Sequence, residues 1–282
     1  MVEPAAAFQS APHVLIGGVP IFRGGLDAAV QFCVDRIRCH ETTRVATANL
    51  DFLALARRQP QLLEDLQTSD LVVADGAPVG VLARLAGSLE TKRVAGVDFV
   101  NALCESVGSN GGLRLVLYGS TDPIARAAGN FLESEFEGVT VVDVICPPFR
   151  ALTPSEHVEM ALRLARAHAD VVLVALGCPA QERFAAELAP VVPGITWLGV
   201  GGSFDFFAGR RRRAPRLAQR LGLEWLVRLA QEPRRLAGRY LVRDAPELVR
   251  LAPGVLRSRY GTARRPKSGH PAGPAIEATK VD

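Results

Sequence analysis

Apolar residues along this chain fall into two alternating kinds of run. Short unbroken stretches, such as Leu71–Ala74 (LVVA), Leu113–Tyr118 and Val171–Leu176, are bounded by glycine, proline or a polar cluster. Between them lie longer segments in which apolar residues return every three to four positions. The first kind marks a strand buried on both faces and the second an amphipathic helix. In chain order the pattern predicts two short strands around Gly17-Gly18 within His13–Phe22, a helix over Leu26–Arg38, and a strand Val45–Asn49 running into a helix to about Leu66. The strand Leu71–Ala74 comes next, with helices over Pro78–Leu85 and Asp98–Val107. Strand–helix pairs follow: Leu113–Tyr118 with Pro123–Phe136, Val139–Ile145 with Pro154–His168, and Val171–Leu176 with Gln181–Leu188. Ile195–Val200 is the last strand, and Thr153 stands where an N-cap belongs. Buried strands alternating with helices make an α/β fold, a parallel sheet flanked by helices.

Past Asp205 the pattern changes. Arg210–Arg213 and Arg216 surround Pro215, which suits a first helical turn. Leu217, Leu221, Trp225, Leu226 and Leu229 then recur at helical spacing with arginines between them, and Pro233 and Pro246 break the stretch into short helices. From Thr262 onward Pro, Gly, Ser and Ala dominate without periodicity, which reads as a disordered tail. The expected divisions are a flexible N-terminus over 1–12, a core over 13–205, a helical arginine-rich appendage over 206–261 and the tail over 262–282.

Charge sharpens that division. Residues 1–205 carry 15 Lys/Arg against 23 Asp/Glu, whereas residues 206–265 carry 16 Arg against 4 acids, so a body of net −8 precedes an end of net +12. Such a split points to an anionic partner. The aromatics Trp225, Tyr240 and Tyr260 form no base-stacking platform, which argues against nucleic acid. A solvated helical face and a peripheral membrane segment both remain open, and leucines beside Trp225 favour an anionic membrane surface. No stretch approaches the ~20 apolar residues of a spanning helix. The N-terminus lacks a secretory signal, and five scattered cysteines without zinc-ligand spacing suggest reduced thiols in the cytoplasm.

In a parallel sheet the ligand sits outside the carboxyl ends of the strands, and there the polar residues and glycines of this sequence gather. Asp75-Gly76 closes the strand Leu71–Ala74. A carboxylate there suits a general base, and equally an N-cap for the next helix. Thr47 and Asn49 end another strand, as sugar- or base-binding groups or as plain loop caps. Gly177-Cys178-Pro179-Ala180-Gln181-Glu182 and Gly201-Gly202-Ser203 offer backbone N–H groups to a phosphate or carbonyl, or are simply well-made turns. A Walker A loop, a G-x-G-x-x-G and a nucleophile elbow are all missing, as is a D-x-D pair, so no cofactor and no metal is expected.

Taken together, Thr47-Ala48-Asn49, Ala74-Asp75-Gly76, Arg93–Asp98 (RVAGVD), Gly177–Glu182 (GCPAQE), Gly199–Asp205 (GVGGSFD), Arg213-Ala214-Pro215 and Leu223–Leu229 (LEWLVRL) with Glu232-Pro233 resemble the WecG/TagA/CpsF glycosyltransferases from about Val14 to Arg243. The resemblance implies a Rossmann-like core and a metal-independent, inverting transfer of a sugar, N-acetylmannosamine-type or another hexose, from a UDP-sugar to a polyprenyl-diphosphate-linked acceptor. It also implies work in cell-surface polysaccharide synthesis on the cytoplasmic face of the bacterial plasma membrane, where the appendage docks. A homo-oligomer is a further expectation, independent of the resemblance. Carried over by position, Asp75 matches the base, Thr47 and Asn49 a polar pair, Arg93 a site arginine and Gln181 the site glutamine. Arg228 and Arg235 match arginines that meet the diphosphate. Gly177, Gly201 and Gly202 are expected to line the substrate site. The sequence departs from the family where Ala180 replaces a lysine and Gly238 a basic residue. The rival expectation is a catalytically idle, membrane-associated UDP-sugar-binding or scaffold protein of the same fold.

Overall fold

The structure is a computed structural model of the 282-residue chain and describes residues 11–108, 111–150, 152–215, 218 and 223–261, less the side chains of Arg235, Leu241 and residues 257–261. The expectations placed on residues 1–10, Arg216, Leu217, Arg220, Leu221 and the tail lie outside the described residues.

Strands β1 (His13–Ile16) and β2 (Val19–Phe22) form an antiparallel hairpin at the start of the chain. Helix α1 (Leu26–Arg38) leads into β3 (Thr43–Ala48), α2 (Leu50–Ala56), α3 (Pro60–Gln67), β4 (Leu71–Ala74), α4 (Ala77–Leu85) and α5 (Gly96–Gly108). The second half runs β5 (Leu113–Gly119), α6 (Asp122–Glu135), β6 (Val139–Ile145), α7 (Pro154–Ala167), β7 (Val171–Ala175), α8 (Ala180–Leu188), β8 (Thr196–Gly199) and α9 (Ser203–Phe207). Among the described residues the main sheet has six strands, all parallel, in the order β4-β3-β8-β7-β5-β6.

The expected α/β architecture with a helix-flanked parallel sheet is what the chain adopts. Alternation along each strand divides the core. Val45, Leu71, Val73, Leu115, Leu117, Leu173 and Leu198 face α1, α5, α6 and α9 on one side. Ala46, Ala48, Val72 and Ala74 face α2 and α4 on the other, where Val116, Tyr118, Val172, Val174 and Trp197 continue the layer towards α7 and α8. The strands inside the sheet are thus buried on both faces, which is why period-2 patterning is invisible in their sequences, whereas the edge strand β6 is only partly buried along its middle.

One expected element divides in two. The single helix to Leu66 breaks into α2 and α3 because Pro60 opens a new first turn and holds Gln59 in an extended conformation, φ −125° and ψ 96°. Thr153 does cap α7, through a reciprocal capping box with Glu156.

The C-terminal segment is wrapped onto this core. Helices α10 (Glu224–Gln231) and α11 (Pro233–Gly238) run into a π-helical turn, Arg239–Asp244, and then α12 (Ala245–Gly261). Helix α12 lies against α4 and α2, and its Leu248, Leu251 and Val255 complete the cluster containing Ile16, Leu53 and Leu82. Its buried Glu247 accepts a hydrogen bond from Arg57 Nε at 3.0 Å.

If α12 is structurally part of the core, adjacent residues on it must respond differently to charge. Val255→Asp is expected to lower the unfolding free energy by about 3 kcal/mol or more, because a carboxylate would be buried among apolar groups. Leu256→Asp, on the exposed face, should stay within about 0.5 kcal/mol of the parent in urea denaturation. Equal effects would show that the helix does not rest on the core.

Candidate functional site

Asp75 follows the last residue of β4, an edge strand, with β3 on one side. Its N–H donates to Ala48 O at 2.8 Å, and Val94 N–H donates to Ala74 O at 2.8 Å, so the chain around Arg93 runs alongside the strand end. Gly76 follows at φ +104°, a left-handed value that frees the chain to turn sharply into α4. Gly76 itself is the N-cap of α4 and no side chain caps that helix, so Asp75 does not play the capping role.

Two cavities meet at this carboxylate. One, of about 270 Å³, is polar and lies over the ends of β3, β4, β7 and β8, lined by Thr47, Asn49, Gly177, Gln181, Gly201 and Gly202. The other, also about 270 Å³, is mostly apolar and lies between α4 and the C-terminal segment, lined by Leu50, Pro78, Trp225, Tyr240 and Leu248. Asp75, Asn49, Glu224, Arg228 and Arg239 line both.

The charges are densely arranged. Arg93 donates from Nη2 to Glu224 Oε2, and Arg228 Nη2 lies 3.3 Å from Glu224 Oε1. Arg228 also stacks over the Phe206 ring, 5.2 Å from its centroid. Arg239 Nε stands 3.4 Å from Asp51 Oδ2 and 3.7 Å from Asp244 Oδ2, and Arg243 Nε lies 3.4 Å from Asp51 Oδ1. Burial raises the Asp75 carboxyl above the ordinary range. Arg228, Arg93 and Arg239 pull it back and Glu224 pushes it up, but desolvation dominates. Asp244 is likewise raised, to about 6, first by burial.

The other expected residues take defined places. Thr47 Oγ1 donates to Gly199 O at 2.9 Å, tying β3 to β8. Asn49 Oδ1 caps α2, accepting from Asp51 N–H at 3.0 Å and Phe52 N–H at 3.4 Å, which leaves its Nδ2 as the group for a ligand. Gln181 is fully engaged with protein: its Oε1 accepts from Gly201 N–H at 3.1 Å and its Nε2 donates to Glu182 Oε1 at 2.7 Å. Gln181 N–H itself donates to Gly177 O at 3.0 Å, so two of the N–H groups expected to cradle a ligand, those of Gln181 and Gly201, are used internally. A Cβ on Gly199 would stand 2.6 Å from Gln181 Nε2, so the amide fits only over a glycine. The Arg235 side chain lies outside the described residues.

Sequence reasoning passed over Glu224, Asp51 and Asp244 as site residues, and named Arg239 only as the residue left to supply the charge missing at Gly238. Glu224 was visible within the LEWLVRL run. Asp51 and Asp244 carried no signal, and only the π-turn brings Arg239, Tyr240 and Asp244 to one cavity wall. Among the described residues no group of His, Cys, Asp and Glu is placed to hold a metal ion, and no helix is long and apolar enough to cross a membrane.

Residues 14–264 match the Glycosyl transferase WecG/TagA/CpsF family. A curated relative from Bacillus subtilis (strain 168), N-acetylglucosaminyldiphosphoundecaprenol N-acetyl-beta-D-mannosaminyltransferase, is 30% identical over 189 residues, covering 67% of this chain and 72% of the relative.

Glu182, beside Gln181, holds its proton more tightly than an ordinary carboxyl. Burial raises its carboxyl to about 7, against hydrogen bonds from Gln181 and Cys178 that lower it. Folding therefore keeps a proton that the unfolded chain releases, so this stabilisation is full below about 4.5 and is lost as pH rises through about 7. Glu182→Gln is expected to match the parent at pH 5 and to exceed it at pH 8 by on the order of 1–3 kcal/mol in denaturant unfolding. A pH-independent difference would show that Glu182 does not titrate in this range.

Proposed function

The chain belongs to the WecG/TagA/CpsF family of glycosyl transferases, and on that premise we propose that it moves an N-acetylmannosamine-type or other hexosyl group from a UDP-sugar to a polyprenyl-diphosphate-linked acceptor, with inversion. The observation that carries this reading is the position of Asp75, at the junction of a polar cavity and an apolar one. A donor nucleotide sugar suits the polar side, over the strand ends. A lipid-linked acceptor suits the apolar side, where Leu50, Pro78, Trp225 and Leu248 offer surface to an isoprenoid chain and the arginines stand at its inner end.

In this mechanism the acceptor hydroxyl gives its proton to Asp75 as its oxygen bonds to the anomeric carbon. The bond from that carbon to the β-phosphate oxygen breaks on the opposite face, and its electron pair leaves with UDP. Asp75 must be ionised to act, and its raised proton affinity makes it a stronger base than an ordinary carboxylate. Arg228 and Arg239, which line both cavities, together with Arg93, supply the positive field for the departing diphosphate, a task guanidinium performs through paired N–H donors. Arg235 joins them in this reading. Thr47, Asn49 and Gln181, with Gly177, Gly201 and Gly202, shape the donor side.

The Leu223, Trp225 and Leu226 side chains are exposed on or beside α10, in the segment of high positive charge, and Trp225 also lines the apolar cavity. That arrangement supports peripheral docking on an anionic membrane, on the cytoplasmic face, where the lipid-linked acceptor would be presented.

The central test is a screen of UDP-sugars against a lipid-diphosphate acceptor, with product identified by mass. Acceptor-dependent UDP release is expected, whereas donor binding without turnover would leave an idle binding protein. Asp75→Asn should retain UDP binding and lose ~10²–10⁴ in transfer rate, and the parent's rate should fall as acid protonates Asp75. Near-parental transfer by Asp75→Asn would remove it from the chemistry.

Docking has a separate test. Vesicles containing anionic lipid should bind the full chain, more weakly as salt is added. The folded double variant Leu223→Asp with Leu226→Asp should bind them at least tenfold more weakly. Unchanged binding would place the membrane contact elsewhere.

A further inference from the structure

Glu224 takes no part in the proton transfer derived above, yet it sits at the centre of the site, 6% exposed. It opens α10, lines both cavities, and divides its carboxylate between two cations from different parts of the chain. Oε2 accepts from Arg93, which the core holds beside the end of β4, and Oε1 lies 3.3 Å from Arg228, one turn further along α10. Two guanidinium groups brought this close to one carboxylate repel each other unless an anion stands between them. Removing one member of such a buried set leaves the rest uncompensated and free to re-pair.

Asp75 is another anion within the field of both arginines, lining the same cavity. It is acted on by Arg93 from the loop before α5, by Glu224 and Arg228 from α10, and by Arg239 from the π-turn. Arg213 lies further out, bound through Nη2 to Asp98 Oδ2 at 2.9 Å, and Asp51 faces the same cavity from α2. A base ion-paired directly to an arginine is a poor proton acceptor. Its usefulness therefore depends on the arginines being held elsewhere until a diphosphate arrives.

We propose that Glu224 is a positioning residue: it is the strut that holds Arg93 and Arg228 flanking Asp75 without letting them neutralise it. The role deepens the transfer reading and rests on it for its catalytic meaning, but the strut itself exists in the unliganded protein. Because Glu224 is itself an anion beside Asp75, its presence also opposes ionisation of the base.

The test uses the full chain and a readout that needs no substrate. The Asp75 carboxyl is titrated by carboxyl-carbon NMR, its signal assigned by its loss in Asp75→Asn. Glu224→Gln should titrate Asp75 at a pH lower by about one unit or more, since a like charge leaves and two cations are released onto it. Its acceptor-dependent kcat should fall at least tenfold, with donor KM changed less. Glu224→Asp keeps the charge and should restore most of the titration and part of kcat, which a merely structural role would not predict. Thermal melting establishes that each variant is folded, and Glu224→Asp against parent carries the comparison if Glu224→Gln is not. An Asp75 titration unmoved in folded Glu224→Gln, or displaced as far in Glu224→Asp, overturns the strut. Absence of transfer by the parent, with the titration shift intact, sinks the transfer reading and supports the strut.

Discussion

A half-buried carboxylate held among three arginines without being expelled from the fold by its own desolvation is the constraint on which this structure turns. Asp75 satisfies it by sitting among arginines that are occupied elsewhere: Arg93 and Arg228 by Glu224, Arg239 by Asp51 and Asp244. Burial still outweighs those cations, so the carboxyl remains a stronger base than one in water. No single element could supply such an arrangement, because like charges on one helix or loop would repel.

The parallel sheet contributes the fixed half. Strand ends cannot shift without breaking the ladder, so β3, β4, β7 and β8 deliver Thr47, Asp75, Gly177 and the Gly199–Gly202 turn to one rim. The C-terminal segment contributes the other half, and its attachment is apolar as well as ionic: Leu248, Leu251 and Val255 are shared with the second core. In the proposed reaction this division is useful, since the half that would meet the membrane also carries the cations that the leaving group needs.

Several residues whose types suggested ligand contact also hold the loops that line the polar cavity. Gln181 bridges the turn after β7 to the turn after β8, Thr47 ties β3 to β8, and Asn49 caps α2. Their polar groups are largely spent on backbone partners, which is what fixes the shape of the polar cavity above them. A rim built this way is rigid before any substrate arrives, and rigidity there is the condition for placing a reacting atom accurately.

The order of strands and helices was legible in the sequence because each element carries its own periodicity and its own stop signals. Leu71–Ala74, Val139–Ile145 and Leu26–Arg38 appear in the structure with the limits that pattern alone assigns. The split between α2 and α3 was overlooked, although Pro60 announced it locally. Asp75 stood out as a candidate from its place at a strand end, and Arg93 and Arg228 from the family's motifs alone. Which of them touch was not legible. Glu224 is 131 positions from the arginine it pairs with, Asp51 and Arg239 belong to opposite ends of the chain, and Asp244 reaches the site only through a π-helical turn whose sequence, RYLVRD, reads as ordinary helix. Local sequence fixes secondary structure through short-range sterics and hydrogen bonding. The pairing of buried charges is decided by which elements the hydrophobic cores bring together, and only the folded chain contains that information.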